Sequence, residues 1–257
     1  MLSFLRDFLD FFFPRNCAMC GSRLHRFEQE VCSGCLRSLH RVVYRGHDHH
    51  DVIERLFWER VPIERATAYF YYEGERVRHL LHSIKYYDRP DAASLLARCF
   101  VGEKESADFF DSVDVVVALP LHWLKQLKRG YNQSDFIARG LSGATGIPQL
   151  KGVVKRIRNN PSQTHLNMQQ RSDNVRGIFR LVRPDAIAGK HILLVDDVLT
   201  TGATLLSCAE TLAQAPGVRI SIFTLAYAGP PIDYLIPEGQ NIPFEVHVRP
   251  DEMEMEE

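Results

Sequence analysis

The sequence predicts an α/β fold: a mostly parallel sheet flanked by helices, with a small zinc ribbon at its N-terminal end. Three observations lead there. From Ala66 onward, β-prone runs alternate with amphipathic helical stretches. Several of those runs are continuously apolar, as strands covered on both faces must be. Two Cys-x-x-Cys pairs precede them all.

The chain has 257 residues, 45% of them hydrophobic, enough for a sizeable core. A net charge of -1 gives no global field drawing it to nucleic acid or an anionic membrane, so such binding must come from a local patch. The opening "MLSFLRDFLDFFFPRNC" places Leu2, Leu5, Leu9, Phe12 and Phe13 near helical spacing, which predicts a short amphipathic helix packed on its own protein. Arg6, Asp7 and Asp10 interrupt it and a basic leading region is lacking, so no secretory signal is expected. With no apolar run of the ~18 residues a membrane span needs, the expected compartment is the cytoplasm.

Next come "CAMC" (Cys17, Cys20) and "CSGC" (Cys32, Cys35). Each pair turns tightly and aims two sulfurs inward, and two pairs close a tetrahedral shell. Two disulfides would need an oxidising compartment, and a redox pair would need one motif opening a helix. A structural zinc ion held by Cys17, Cys20, Cys32 and Cys35 is therefore the expectation, with Cys99 and Cys208 as core residues on helical faces. The following "RGHDHHD" offers His47, Asp48, His49 and His50 as metal donors, but reads better as a solvated linker.

"ATAYFYY" reads as a strand. Val77, Leu80, Leu81 and Ile84 then recur at i, i+3, i+4, i+7 and predict a helix ending near "KYYDRP". Leu95, Leu96, Cys99 and Phe100 mark another helix, and "VDVVVALP" a strand covered on both faces. A helix from about Asn132, strands at "VVKRI", "GIFRLV" and "HILLVDD", a helix over Leu205 to Ala213 and the strand "VRISIFTL" complete the alternation. The acidic end "RPDEMEMEE" reads as frayed. In such sheets ligands bind beyond the carboxyl ends of the strands, which puts Asp196 and Asp197 in a crevice.

The stretch "LLVDDVLTTGATL" (Leu193 to Leu205) joins that acid pair to a small, hydroxyl-rich turn. Carboxylates accept hydrogen bonds from vicinal hydroxyls such as those of a ribose, but repel a phosphate. Thr200, Thr201, Gly202, Ala203 and Thr204 supply what the acids cannot: backbone N–H groups in a glycine-hinged turn, three hydroxyls, and the positive end of the helix beyond. A receiver domain also ends a strand in paired acids, for a magnesium ion, but its pair lies near the domain start rather than leading into Thr-Thr-Gly-Ala-Thr.

Over all thirteen residues the stretch resembles the 5-phosphoribosyl-1-pyrophosphate (PRPP) motif of type I phosphoribosyltransferases. The resemblance implies that Asp196 and Asp197 bind the ribose hydroxyls, that Thr200 to Thr204 wrap the 5-phosphate, and that Mg2+ bridges pyrophosphate and sugar. With the two cysteine knuckles, "LHSIKYYDR", "ALPLHWLKQLKRGYNQ" and "QTHLNMQQRSDNVRGIF" in that order, most of the chain resembles the ComF family. That family joins a zinc ribbon to a phosphoribosyltransferase-like domain and is associated with DNA uptake or the use of DNA as a nutrient. The implied division is a helix and ribbon over 1–60, a phosphoribosyltransferase-like domain over 61–245 and a tail over 246–257.

The same resemblance implies that Leu119 to Leu121, Lys128 and Arg129 receive the pyrophosphate. It also implies that a mobile flap spans the polar stretch Lys155 to Gly177, where Gln163 and Asn174 lie and Arg171 meets a phosphate. Asp196, Asp197 and Arg129 form the expected catalytic set, with Lys85 a further candidate for the crevice. No counterpart of a base-recognising hood is visible, so two functions are carried forward. One is a phosphoribosyltransferase acting on a nucleobase or amine. The other is a binding protein whose rim (Lys125, Lys128, Arg129, Lys151, Lys155, Arg156, Arg158, with Trp123 and Tyr131) holds single-stranded DNA, its ribbon docking a partner such as an uptake helicase.

Overall fold

The computed structural model describes residues 14–44, 52–57, 61, 63–158 and 177–229. The expected N-terminal helix, the histidine-rich linker, Gln163, Arg171, Asn174 and the acidic tail lie outside the described residues.

The described strands are β1 (Ile63–Tyr71), β2 (Val115–Ala118), β3 (Val154–Arg156), β4 (Phe179–Leu181), β5 (His191–Leu199) and β6 (Arg219–Tyr227). Four of them form a parallel sheet in the order β1-β6-β5-β2, while β3 and β4 pair antiparallel on their own. The helices are α1 (Ser33–Ser38), α2 (Val52–Arg55), α3 (Gly74–Tyr86), α4 (Pro90–Val101), α5 (Trp123–Arg129), α6 (Gln133–Thr145) and α7 (Ala203–Leu212). None of the helices in the described residues is long and apolar enough to cross a membrane.

The apolar run of β5 follows from its place inside the sheet. Leu193 and Val195 enter one core cluster with α3, α4 and α6, while Ile192 and Leu194 enter a second with α7 and Phe57. On α3 the expected stripe Val77, Leu80, Leu81 and Ile84 is buried. On α4, Leu96 and Phe100 are buried and Leu95 and Cys99 only half-buried. Helices α4 and α6 approach so closely that a β-carbon on Gly140 would run into the Ser94 carbonyl.

The connections after β2 and β5 take different faces of the sheet. After β2 the chain passes through α5, which buries no residue, and then α6, which packs on the first cluster. It returns at Gln149, which bridges parallel to Val116 on the side of β2 away from β5. After β5 it passes through α7 over the second cluster and returns as β6 on the other side. The chain thus leaves β2 and β5 toward opposite faces, the topology at which α/β sheets bind ligands beyond the carboxyl ends of their strands.

Strand β5 runs further than "HILLVDD" suggested. Its pairing with β2 stops at Ala118↔Val195, but β6 continues alongside through Asp196↔Thr224, Val198↔Ala226 and Leu199↔Tyr227. The acids therefore stand within a strand still paired on one edge and already open on the other.

The cysteine ribbon packs against this body. Cys17, Ala18, Met19, Leu24, Val31 and Cys35 share the first cluster with Leu80, Leu81, Ala92 and Leu96. Ala18 O lies 3.1 Å from His79 Nδ1, and Arg89 Nε donates to Glu30 Oε2 at 3.0 Å. Behind the ribbon, His40 to Val42 runs antiparallel to β1, with Val42 N donating to Tyr69 O at 3.2 Å and Tyr71 N to His40 O at 2.9 Å.

Candidate functional site

Strand alternation separates the two acids. Asp196 shares a face with Ile192 and Leu194, and Asp197 with Leu193 and Val195. Asp197 is 5% exposed, and its Oδ2 lies 3.6 Å from the Lys85 ammonium at the last turn of α3. That oxygen is buried and accepts no hydrogen bond from the described residues. Asp196 Oδ1 accepts from Ser134 Oγ at 2.9 Å. Burial, and then the neighbouring Asp197 charge, push the Asp196 carboxyl up to about 7, against the pull of the Asp197 N–H, Ser134 and Lys85.

Arg156 completes the surroundings. On β3 it points the same way as buried Val154, and its guanidinium is close enough to Asp196 for the charge to offset part of its desolvation. Its Nε is buried without a hydrogen-bond partner among the described residues, and the guanidinium carbon sits 5.9 Å from the centre of the Phe179 ring. The rim reading included Arg156 but did not connect it to Asp196. The inward Val154, two positions earlier, was the signal that could have found it. Ser134 was missed outright, since nothing local marks a serine in the first turn of a helix as a ligand of a distant acid.

The turn after β5 is tight. Thr200 is exposed and Thr201 half-buried, while Gly202 is buried in the left-handed region at φ 71. A β-carbon there would stand 3.2 Å from the Phe57 ring. Helix α7 begins at Ala203 rather than beyond Thr204, because Gly202 already serves as its cap residue. The N–H groups of Ala203 and Thr204 thus belong to the first turn and have no intrahelical carbonyl to bind; Ala203 N reaches Thr201 Oγ1 at 3.5 Å. An oxyanion held there would meet N–H donors and the positive helix end together.

Lys128 and Arg129 end α5, a helix with no buried residue. Lys128 is exposed. Arg129 donates to Gln133 Oε1 and lies over the Tyr86 ring at 5.1 Å, beside Lys85 in sequence. Tyr131 OH donates to Ile84 O at 2.5 Å, so the loop is tied to the end of α3. Asn132 caps α6 as expected, accepting from Ser134 N at 3.4 Å, and also donates to Leu119 O at 3.0 Å. Among the expected crevice residues the structure therefore brings Lys85 to Asp197 and Arg156 to Asp196, while Arg129 is held against Gln133 and Tyr86.

The four cysteines form a second cluster. Their sulfurs all lie within 4.8 Å of one another, and Cys20 Sγ and Cys32 Sγ are 3.9 Å apart. Four thiolates about 2.3 Å from one zinc ion would be ~3.8 Å apart, so the donor set fits. Backbone N–H groups already point at the sulfurs: Met19 N and Cys32 N at Cys17 Sγ (3.4 and 3.3 Å), Cys35 N at Cys32 Sγ (3.4 Å). Hydrogen bonds from Ser22 bring the Cys20 thiol down to about 6, while burial pushes Cys35 up. All six cysteines are free thiols, and Cys208 is fully buried, as expected of a core residue. With Cys17 and Cys35 buried and four ligands present, the cluster can hold a metal ion as a closed, structural site.

Comparison with known proteins adds independent findings. The family model described as phosphoribosyl transferase domain matches residues 87–248. Competence protein F of Haemophilus influenzae is 27% identical over 232 residues, covering 84% of this chain and 99% of that protein. DNA utilization protein YhgH of Salmonella typhi is 27% identical over 223 residues, covering 82% of this chain and 96% of that one. Among solved structures, glutamine PRPP amidotransferase from B. subtilis aligns with 55% of this chain and 30% of its own, at 24% identity and a TM-score of 0.35.

Proposed function

This chain belongs to the phosphoribosyl transferase domain family, and from that premise we propose that it binds PRPP or a related ribose phosphate beyond the carboxyl end of β5. Asp196 and Asp197 accept from the vicinal ribose hydroxyls, and Thr200, Thr201, Gly202, Ala203 and Thr204 hold the 5-phosphate. Lys128 and Arg129 meet the pyrophosphate, with Arg171 joining from the segment that follows β3. The observation that carries this reading is the buried Asp197 Oδ2, a carboxylate oxygen with no donor among the described residues, beside an N–H-rich turn. A buried acceptor left unsatisfied is costly, and a ligand hydroxyl removes that cost.

Two carboxylates also suit a hard divalent cation, so Asp196 and Asp197 are the residues toward which Mg2+ arriving with PRPP would be drawn. When bound, it would supply positive charge to the pyrophosphate oxygens. The chain's own contribution is to orient the sugar, hold the phosphate and offer the leaving group the charge of Arg129, which rests over the Tyr86 ring. The acceptor would be a nucleobase or an amine. In the N-terminal helix and ribbon, which we assign to residues 1–60, Cys17, Cys20, Cys32 and Cys35 hold Zn2+, stiffening the surface that packs on α3 and α4.

The relatives' names place the cellular role in competence and in use of DNA. One observation favours a direct contact with single-stranded DNA. Helix α5 exposes Trp123 (63%) and Leu127 (75%) beside Lys125, Lys128 and Arg129, a pairing of aromatic and cationic groups suited to stacked bases and phosphates.

Calorimetric titration of the zinc-loaded chain with PRPP and Mg2+ tests the main reading. The wild type should bind, and Asp197→Asn should lose affinity by about a hundredfold with zinc content unchanged. Retained affinity defeats the ribose assignment. An oligonucleotide arm separates the readings: binding that survives Asp197→Asn but weakens with salt belongs to α5. Pyrophosphate release against a panel of bases then identifies the acceptor.

A further inference from the structure

We infer that the outer face of the β3–β4 hairpin is a contact surface for a nucleic-acid backbone, one that engages phosphates and not bases. It goes beyond the stacked contact of α5, and it stands or falls apart from the ribose phosphate reading.

The hairpin has two unlike faces. Val154 and Phe179 belong to the second core cluster, and Leu181 packs against it. Lys155 and Arg180 point the other way, both exposed, and the register sets them directly opposite each other. Like charges on facing positions of a strand pair repel. A face that is merely solvated avoids this by mixing signs. Here Lys151, Arg158 and Arg183 add exposed positive charge around the pair, and Asp185 is the one acid within 150–158 and 177–190. None of the five cations is in an ion pair among the described residues. Arg183 is also fixed in place. Its Nε donates to Gly152 O at 3.3 Å and its Nη2 to Lys151 O, which ties its charge across one end of the hairpin.

That repulsion is relieved by an anion whose charges repeat at short intervals across the face. A phosphodiester chain is such an anion, and guanidinium and ammonium groups are its usual partners. Its bases would find nothing to stack on. Phe179, the aromatic residue of the two strands, is buried, and the exposed apolar side chains beside them, Ile157 and Val182, are aliphatic. The rim reading brought in Lys151, Lys155 and Arg158 together with Trp123 and Tyr131. Strand β4 and its end supply Arg180 and Arg183 instead, so this face needs no aromatic partner.

Three variants of the zinc-loaded full chain test this: Lys155→Gln combined with Arg180→Gln, Lys155→Glu, and Trp123→Ala on α5. The probes are a thymidylate oligonucleotide and the same chain with its bases removed. Wild type should bind both. The double glutamine variant should weaken both about tenfold and flatten the dependence of log K on log salt by about 1.4, two phosphate contacts' worth. Lys155→Glu should also weaken both. Because it turns a like-charge pair into an ion pair, it should raise the melting midpoint by about 1–3 °C. Trp123→Ala should weaken the thymidylate strand and leave the baseless chain as in wild type. Undiminished binding of the baseless chain by the double variant overturns the inference, and so does a Lys155→Glu protein that melts no higher than wild type. Tighter binding to phosphatidylserine vesicles than to the baseless chain overturns it too, since the face would then suit a lipid surface. If the wild type binds thymidylate and not the baseless chain, the hairpin fails and α5 stands. If Trp123→Ala binds thymidylate as wild type does while the double variant is weakened, α5 fails and the hairpin stands.

Discussion

Ser134 Oγ, in the first turn of α6, donates to Asp196 Oδ1 across 2.9 Å, so the second helix after β2 holds the acid that stands near the end of β5. That bond favours the ionised acid, yet burial and the Asp197 charge outweigh it.

The pH dependence follows from that balance. The Asp196 carboxyl is raised from 3.8 to about 7 in the folded protein. Below 3.8 it is protonated in both states and adds no penalty. Between 3.8 and about 7 the folded state binds more protons than the unfolded one, so stability falls as pH rises through that window. Asp196→Asn, which keeps the acceptor for Ser134 and removes the charge, should flatten the decline. Urea midpoints should show it more stable than wild type by at least ~1 kcal/mol at pH 8 and indistinguishable at pH 3. An unchanged slope would place the acid in better solvation than its surroundings imply.

Removal of the metal should be felt well outside the ribbon. Cys17 and Cys35 pack in the same cluster as Leu80, Leu81 and Leu96, so a loosened ribbon uncovers the outer faces of α3 and α4. Chelation, or Cys35→Ser, should release one metal ion per chain and lower stability on the order of 3 kcal/mol. Metal analysis with calorimetric melting measures both. A variant that loses its metal and melts at the wild-type temperature would mean that the ribbon does not support the sheet.

Substitution of Gly202 should hurt twice. Its φ of 71 disfavours any side chain by roughly 1–2 kcal/mol, and a β-carbon would press on Phe57 at 3.2 Å. Gly202→Val should therefore destabilise the protein and weaken ribose 5-phosphate binding at least tenfold, measured by calorimetry below the melting range. Tight binding by that variant would show that the turn does not shape an anion site.

Much of the site was legible because its signals are local. Two acids after an apolar run, a hydroxyl-rich turn with one glycine, and paired cysteines at fixed spacing each need only a short window. The stripe on α3 was equally plain, since Val77, Leu80, Leu81 and Ile84 are spaced by the helix itself. Helix α5 was not: Trp123, Leu124 and Leu127 are exposed, so no buried face announced it.

What the sequence determined by itself is the acid pair, the glycine-hinged turn and the four cysteines that can hold a metal, because backbone period and side-chain chemistry are properties of neighbours along the chain. What only the tertiary structure decided is who attends them: Lys85 at Asp197, Ser134 and Arg156 at Asp196, the ribbon against α3 and α4. An apolar face records that it must be covered and not by what. The partners of a buried charge are set by the order β1-β6-β5-β2, which no local pattern encodes.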